Sequence, residues 1–240
     1  MINKDYITIF ISVSAFGLSL FSLIVTLVQK NKETKRTIRK NLSDTIENIS
    51  KIGIETAKLQ ANKDTDFNSD AIIAIRRKYN SQRRSLITHA DFLLQHYENL
   101  ATETDYNVLA DTYVAVGDIE RAEYYWLKTI EKTKSNALRI MNLRGYGIFL
   151  FHNEKIELGR KIFDEAQQVE LTVNDENRVM KIDTCLMLCD METEFGSKEN
   201  YEASLIKAME ILATMTSKRR KDEMHKRLIQ KLPDSIKPTA

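Results

Sequence analysis

The sequence predicts an all-α protein built from one N-terminal transmembrane helix, a helical stalk and a short solenoid of about three helical hairpins. Three observations carry this. Proline occurs only at 233 and 238, so nothing before them holds the strongest helix breaker. Apolar residues recur at spacings of three and four, with no sustained alternation of period two. From about residue 104 the chain also repeats itself at a fixed offset, the usual mark of stacked supersecondary units.

Taken in order, residues 1–5 form a short extracytoplasmic N-terminus. Tyr6 to Val28 then runs without a charge and is followed at once by the basic flank Lys30, Lys32, Lys35, Arg36, Arg39 and Lys40. An uncharged helix of that length reaches roughly 34 Å, enough to cross a hydrocarbon core about 30 Å thick. A cleaved export signal is the rival, but the apolar run is longer than such signals use, the preceding residues are barely basic, and no small-x-small site precedes the lysines. The flank lies on the C-terminal side, so the positive-inside tendency places the rest of the chain in the cytoplasm. Within the span, Thr8, Ser12, Ala15, Ser19, Ser22 and Thr26 step by three and four and define a face of small or hydroxyl side chains. Such a face lets transmembrane helices approach closely, although Ser and Thr also bond back to their own helix.

Residues 29–60 continue as an amphipathic stalk whose seam is Ile38, Leu42, Thr45, Ile49, Ile52, Thr56 and Leu59. The a/d-like spacing suits a coiled coil with a second copy, or packing on the next helix of the same chain. Residues 61–69 form a polar linker, and 70–101 a capping helix with Ile72, Ile73, Ile75, Leu86, Ile87, Phe92, Leu93 and Leu94.

The repeats occupy 102–216. At an offset of 37, Gly117-Asp118 aligns with Glu154-Lys155, Ala110 with Gly147, Ala122 with Gly159, Trp126 with Phe163 and Thr129 with Ala166. Small residues where helices cross and large ones where they wedge describe a helical hairpin. The pattern resembles the tetratricopeptide repeat. Leu109-Ala110, Tyr113, the Gly117-Asp118 turn, Ala122 and Trp126 stand at that family's positions, and a degenerate third copy keeps Gly196, Tyr201, Leu205 and Ala208. The early Trp and the closing Pro of the family are missing. Residues 217–232 would cap the stack, followed by a tail at 233–240.

The resemblance implies a concave groove for a protein or peptide partner, at Asn107, Asp111, Arg144, Ile148, Phe151 and His152, with Phe151 as apolar anchor and Arg144 as charge. Asp111 stands where some relatives have a clamp Asn, so capture of a carboxylate tail is disfavoured.

Chemistry is scarce. Cys185 and Cys189 lack the further ligands that a closed zinc site needs. Asp64, Asp66, Asn68 and Asp70 open like a calcium loop, but Ser69 and Ile75 stand where Gly and Glu are required. Seven scattered glycines form no phosphate cradle. With 36 basic and 34 acidic residues, no overall field favours nucleic acid, and Arg76-Arg77-Lys78, Arg83-Arg84 and Lys218-Arg219-Arg220-Lys221 read as solvated faces. The expectation is a membrane-anchored scaffold without cofactor or metal that is not an enzyme. An oligomerising effector working through its spanning helix is the alternative.

Overall fold

The computed structural model describes residues 4–61 and 69–232, with side chains from Phe16 onward except Gln60. Among these residues there are nine α-helices, a single 3₁₀ turn and no strand. The chain divides into two compact units, Met1–Gly117 and Asp118–Ala240. The division falls at the turn of the first expected hairpin and not at the linker, because the helix before that turn packs with the stalk and the helix after the linker.

The first unit contains α1 (Lys4–Ala61), α2 (Asp70–His96), the 3₁₀ turn Glu98–Leu100 and α3 (Glu103–Val116). Helix α1 is continuous over 58 residues, about 87 Å at 1.5 Å per residue. Its side chains from Tyr6 to Ala15 lie outside the described residues, and with them Thr8, Ser12 and Ala15 of the small-residue face. Among the described residues no helix is long and apolar enough to cross a membrane.

The C-terminal half of α1 packs on α2 and α3. Leu42, Thr45, Ile46 and Ile49 are buried there against a chain whose other contributions include Ile87, Ala90, Leu93 and Leu94 of α2. The stalk seam is therefore covered within the chain. Its hydroxyls are satisfied locally: Thr45 and Thr56 donate to the carbonyls four residues earlier at 2.7 and 2.8 Å, so a threonine can face the interior without an orphaned donor. Thr102 caps α3 through a reciprocal box with Asp105, and buried Asp91 accepts from the Tyr113 hydroxyl at 3.1 Å.

The second unit contains α4 (Ile119–Lys132), α5 (Asn136–His152), α6 (Ile156–Gln168), α7 (Asp175–Phe195), α8 (Lys198–Ala213) and α9 (Lys218–Lys231). Helices α5 and α6 pack as one hairpin and α7 and α8 as another; α7 also packs on α5 and α6, while α9 closes against α7 and α8. The α5/α6 crossing sits at two glycines. A Cβ on Gly159 would come within 3.2 Å of the Gly147 carbonyl and 2.6 Å of the enclosed Phe151 ring, and one on Gly147 within 2.8 Å of Phe163. Room for the neighbouring helix is what these positions supply.

The turn that opens α4 and the turn that opens α6 share a backbone feature. Gly117 takes φ 83 and Glu154 takes φ 61, both left-handed, and they are the pair that the offset of 37 aligns. Gly117 suits that geometry because it has no Cβ, and its N–H closes α3 onto the Tyr113 and Val114 carbonyls. Glu154 carries the steric cost of an L side chain there.

Helix α6 is tied to α7 by a buried fork. Arg160 donates through Nε and Nη2 to the two oxygens of Glu192 at 2.7 and 2.8 Å, and the Glu192 side chain has no exposed surface. Burial alone would raise the Glu192 carboxyl, but the Arg160 bonds and the Ser197 N–H outweigh it and hold it below the ordinary carboxylate range. Gly196 makes the space: a Cβ there would lie 1.7 Å from Glu192 Oε2. At the other end of α7, Asp175 receives the N–H groups of Thr216 and Ser217 and so caps α9 from another helix. The Ser217 N–H, with help from Thr216 and Arg178, holds Asp175 at about 2.

Two outcomes are expected. Glu154→Gly should raise unfolding stability by about 0.5–1 kcal/mol, the relief of left-handed strain less the greater freedom of glycine in the unfolded chain, read from denaturant midpoints at constant slope. Because the Asp175 carboxyl is held below its unfolded value near 3.9, its stabilisation is complete above about pH 4 and disappears as pH falls through about 2. The stability gap between wild type and Asp175→Asn should therefore close over that window in acid titrations, and a gap independent of pH would exclude this role.

Candidate functional site

The expected groove residues fall in both units. In the first, Asn107 and Asp111 lie four apart on one face of α3, Asn107 half-buried and Asp111 exposed. In the second, Arg144, Ile148 and His152 lie four apart on one face of α5. Phe151 does not join them. It is completely buried, edge-on to Phe163 with ring centroids 6.1 Å apart, and belongs to a core cluster with Met191. The anchor role given to it is corrected for a physical reason: α5 is enclosed on most of its circumference, with Ile140, Leu143, Tyr146, Gly147, Phe149, Leu150 and Phe151 all buried. Apolar character therefore does not distinguish the groove side from the core side of this helix.

On the Arg144 stripe of α5, Arg144 is itself buried; what remains open is Met141, which is 53% exposed, together with half-buried Ile148 and exposed His152. Stepping back three residues from Arg144 would have found Met141 in the sequence. Opposite the stripe stands α7. The Arg144 Nη1 lies 3.8 Å from the sulfur of exposed Met187, and the His152 ring meets Phe195 edge-on at 4.8 Å. Burial pushes the Arg144 guanidinium down while the charge of Asp183 pulls it back up. Asp183 is in turn held by Arg227 of α9 at 2.7 Å. Sequence spacing gave no sign of Asp183, Met187 and Arg227, because each sits on a different helix from the residue it serves. The face is thus an apolar strip with two methionines, crossed by a chain of alternating charges. Methionine adapts its shape to a partner at low cost, and paired charges fix register more than they add affinity.

Other clefts offer less chemistry. A cavity of about 250 Å³ between α6, α7 and α8 is lined by Arg160, Gln167, Cys185 and Lys207 among others. Its arginine is held by Glu192. Burial pushes the Cys185 thiol up to about 11 and Cys189 to about 12, and both are enclosed. Neither is a thiolate at neutral pH, so neither is a nucleophile there. Among the described residues, no three His, Cys, Asp or Glu side chains converge in a way that could hold a metal ion.

On α1, Ser19 and Ser22 are exposed, and Thr26 donates to the Ser22 carbonyl at 2.9 Å. In the basic flank, Lys30, Lys32, Lys35, Arg36 and Lys40 are exposed. Arg39 is half-buried, and its guanidinium turns onto buried Asp105 at 2.5 Å. Arg83, expected on a solvated face, is likewise buried and donates to Thr56 at 2.9 Å.

Compared with known protein families, characterised proteins and solved structures, the chain matches none.

The thiols provide a direct check on the second unit. Under native conditions at neutral pH, Cys185 and Cys189 should resist a thiol reagent for hours. Both should react together at the denaturant concentration where helicity is lost; labelling of either before that point would mean that α7 opens locally.

Proposed function

We propose that this chain is a single-pass membrane protein whose cytoplasmic, tetratricopeptide-like helical repeats form a scaffold that binds a protein or peptide partner. The observation that carries the anchor is the state of α1 between Phe16 and Val28. Phe16, Leu18 and Phe21 are 70%, 71% and 67% exposed, and Leu20, Leu23, Ile24, Leu27 and Val28 are exposed with them. Successive residues of a helix turn by about 100°, so these side chains cover its whole circumference. A helix that is apolar all round and has no cover from its own chain suits a lipid environment. The exposed lysines and arginine just beyond it favour an N-terminus outside and the repeats inside the cytoplasm.

The repeat reading is supported by the shared left-handed turn at Gly117 and Glu154 and by the Gly147 and Gly159 crossing. Partner binding is supported by the α5 and α7 face, where Met141 and Met187 stand exposed beside Arg144 and His152. An oligomer through the spanning helix is the second reading, favoured by the spacing of three and four that puts Ser19, Ser22 and Thr26 on one side of α1.

One experiment addresses anchor and partner together. The full chain, expressed in bacterial membranes, should remain in the pellet after alkaline carbonate extraction, and its repeats should be digested only when protease reaches the cytoplasmic side. Crosslinked partner recovered from those membranes should fall at least tenfold in Met141→Glu with Met187→Glu. Release by carbonate would remove the anchor, whereas undiminished recovery would remove this face as the binding surface.

A further inference from the structure

Two arginines are buried among the described residues, Arg83 and Arg144, and Arg144 has the charge of Asp183 at longer range. Arg83 has no such counter-charge. It is only 8% exposed, and among the described residues its sole hydrogen-bond partner is the neutral Thr56 hydroxyl. A guanidinium has five N–H donors in a planar fork. Enclosing such a group without a counter-charge is unfavourable unless an anion completes it.

The space for an anion is adjacent. Arg83 lines a cavity of about 260 Å³ in the first unit, together with Thr56, Arg76, Tyr79 and Asn80. Arg76, Tyr79, Asn80 and Arg83 each carry a hydrogen-bond donor, the Thr56 hydroxyl donates to the Ile52 carbonyl, and none of the five is acidic. The remaining wall, Gly53, Ala57 and Ala115, presents only backbone and methyl groups and leaves the volume open. Drug-sized ligands occupy pockets of roughly 300–1,000 Å³, so this one suits a small oxyanion with a few waters, or a short phosphoester. The fork of Arg83 can take two oxygens of such a group at once, and Arg76 adds a second positive charge.

We propose that Arg83, Arg76, Tyr79 and Asn80 form a binding site for a small, soluble phosphate-class oxyanion, with Thr56 positioning the Arg83 guanidinium. The same chemistry is carried by lipid headgroups, but Thr56 lies 28 residues beyond Val28 on one unbroken helix, about 42 Å from the end of the uncharged stretch. The choice of a soluble source over a lipid rests on the anchor reading; the site itself does not.

The test uses the full chain in neutral detergent, with inorganic phosphate titrated against chloride at matched ionic strength. Thermal midpoint and calorimetric affinity are the readouts. Phosphate at a hundredfold excess over its Kd should raise the midpoint by about 5 °C. Arg83→Met should abolish that response while leaving the phosphate-free midpoint unchanged or higher, since an apolar side chain there removes an enclosed charge. Arg76→Gln, at an exposed position that folding does not depend on, should weaken phosphate affinity about tenfold. An unresponsive wild type, or an equal response in both variants, overturns the site. A parallel arm places the chain in nanodiscs with and without phosphatidic acid; a response confined to the acidic lipid overturns the soluble source. Loss of the anchor in carbonate extraction would leave the detergent titration unaffected, so the two ideas fail separately.

Discussion

The second unit depends on the Glu192 carboxylate. It takes the forked guanidinium of Arg160 from α6, belongs itself to α7, and accepts the Ser197 N–H at 2.9 Å where α8 begins. Moving such a charge out of water costs several kcal/mol, and only good geometry with further hydrogen bonds offsets it. Here both are present. Removing Arg160 would leave the enclosed Glu192 carboxylate without its counter-charge, and the arrangement holds three helices in register through a single group. The absence of a side chain at Gly196 is the condition for it.

The same device appears at two other helix starts. The first N–H groups of any helix lack intrahelical acceptors, and here carboxylates supply them while also binding an arginine. Asp105 caps α3 and holds Arg39. Asp175 serves the residues that open α9 and holds Arg178. Each acid thus solves two problems at once: the positive end of a helix attracts it, and the arginine balances what remains of its charge. The basic run Lys218 to Lys221 sits at the positive end of α9, where cations are unfavourable; Asp175 offsets that placement.

How far the fold can be read from residues alone follows from this. Helices were legible because spacings of three and four depend on local geometry, and the Gly147 and Gly159 crossing was legible because the offset of 37 aligned small residues with small ones. Phe151 was not, since periodicity marks an apolar face only when the opposite face is polar, and α5 has little polar face. Arg39 with Asp105, and Arg160 with Glu192, were invisible because their separations of 66 and 32 residues obey no helical spacing. Arg83 belonged to a basic run that looked solvated, and only packing between α1 and α2 encloses it. Of the proposed binding face, the Arg144, Ile148 and His152 stripe came from spacing along α5, whereas Met187, Asp183 and Arg227 needed the tertiary arrangement.

Helix α1 has one more property. Between Gly17 and Gly53 it contains neither glycine nor proline, and sharp bends in helices occur almost only at such residues or at local insertions. That stretch is a strut of about 52 Å, apolar and uncovered at one end and packed on α2 and α3 at the other. A piston or twist of the first end therefore has no joint in which to dissipate. It must arrive at Leu42, Ile46 and Ile49 as a displacement of nearly the same size, which makes the packing of the first unit a mechanical gauge of what happens to the other end of the rod.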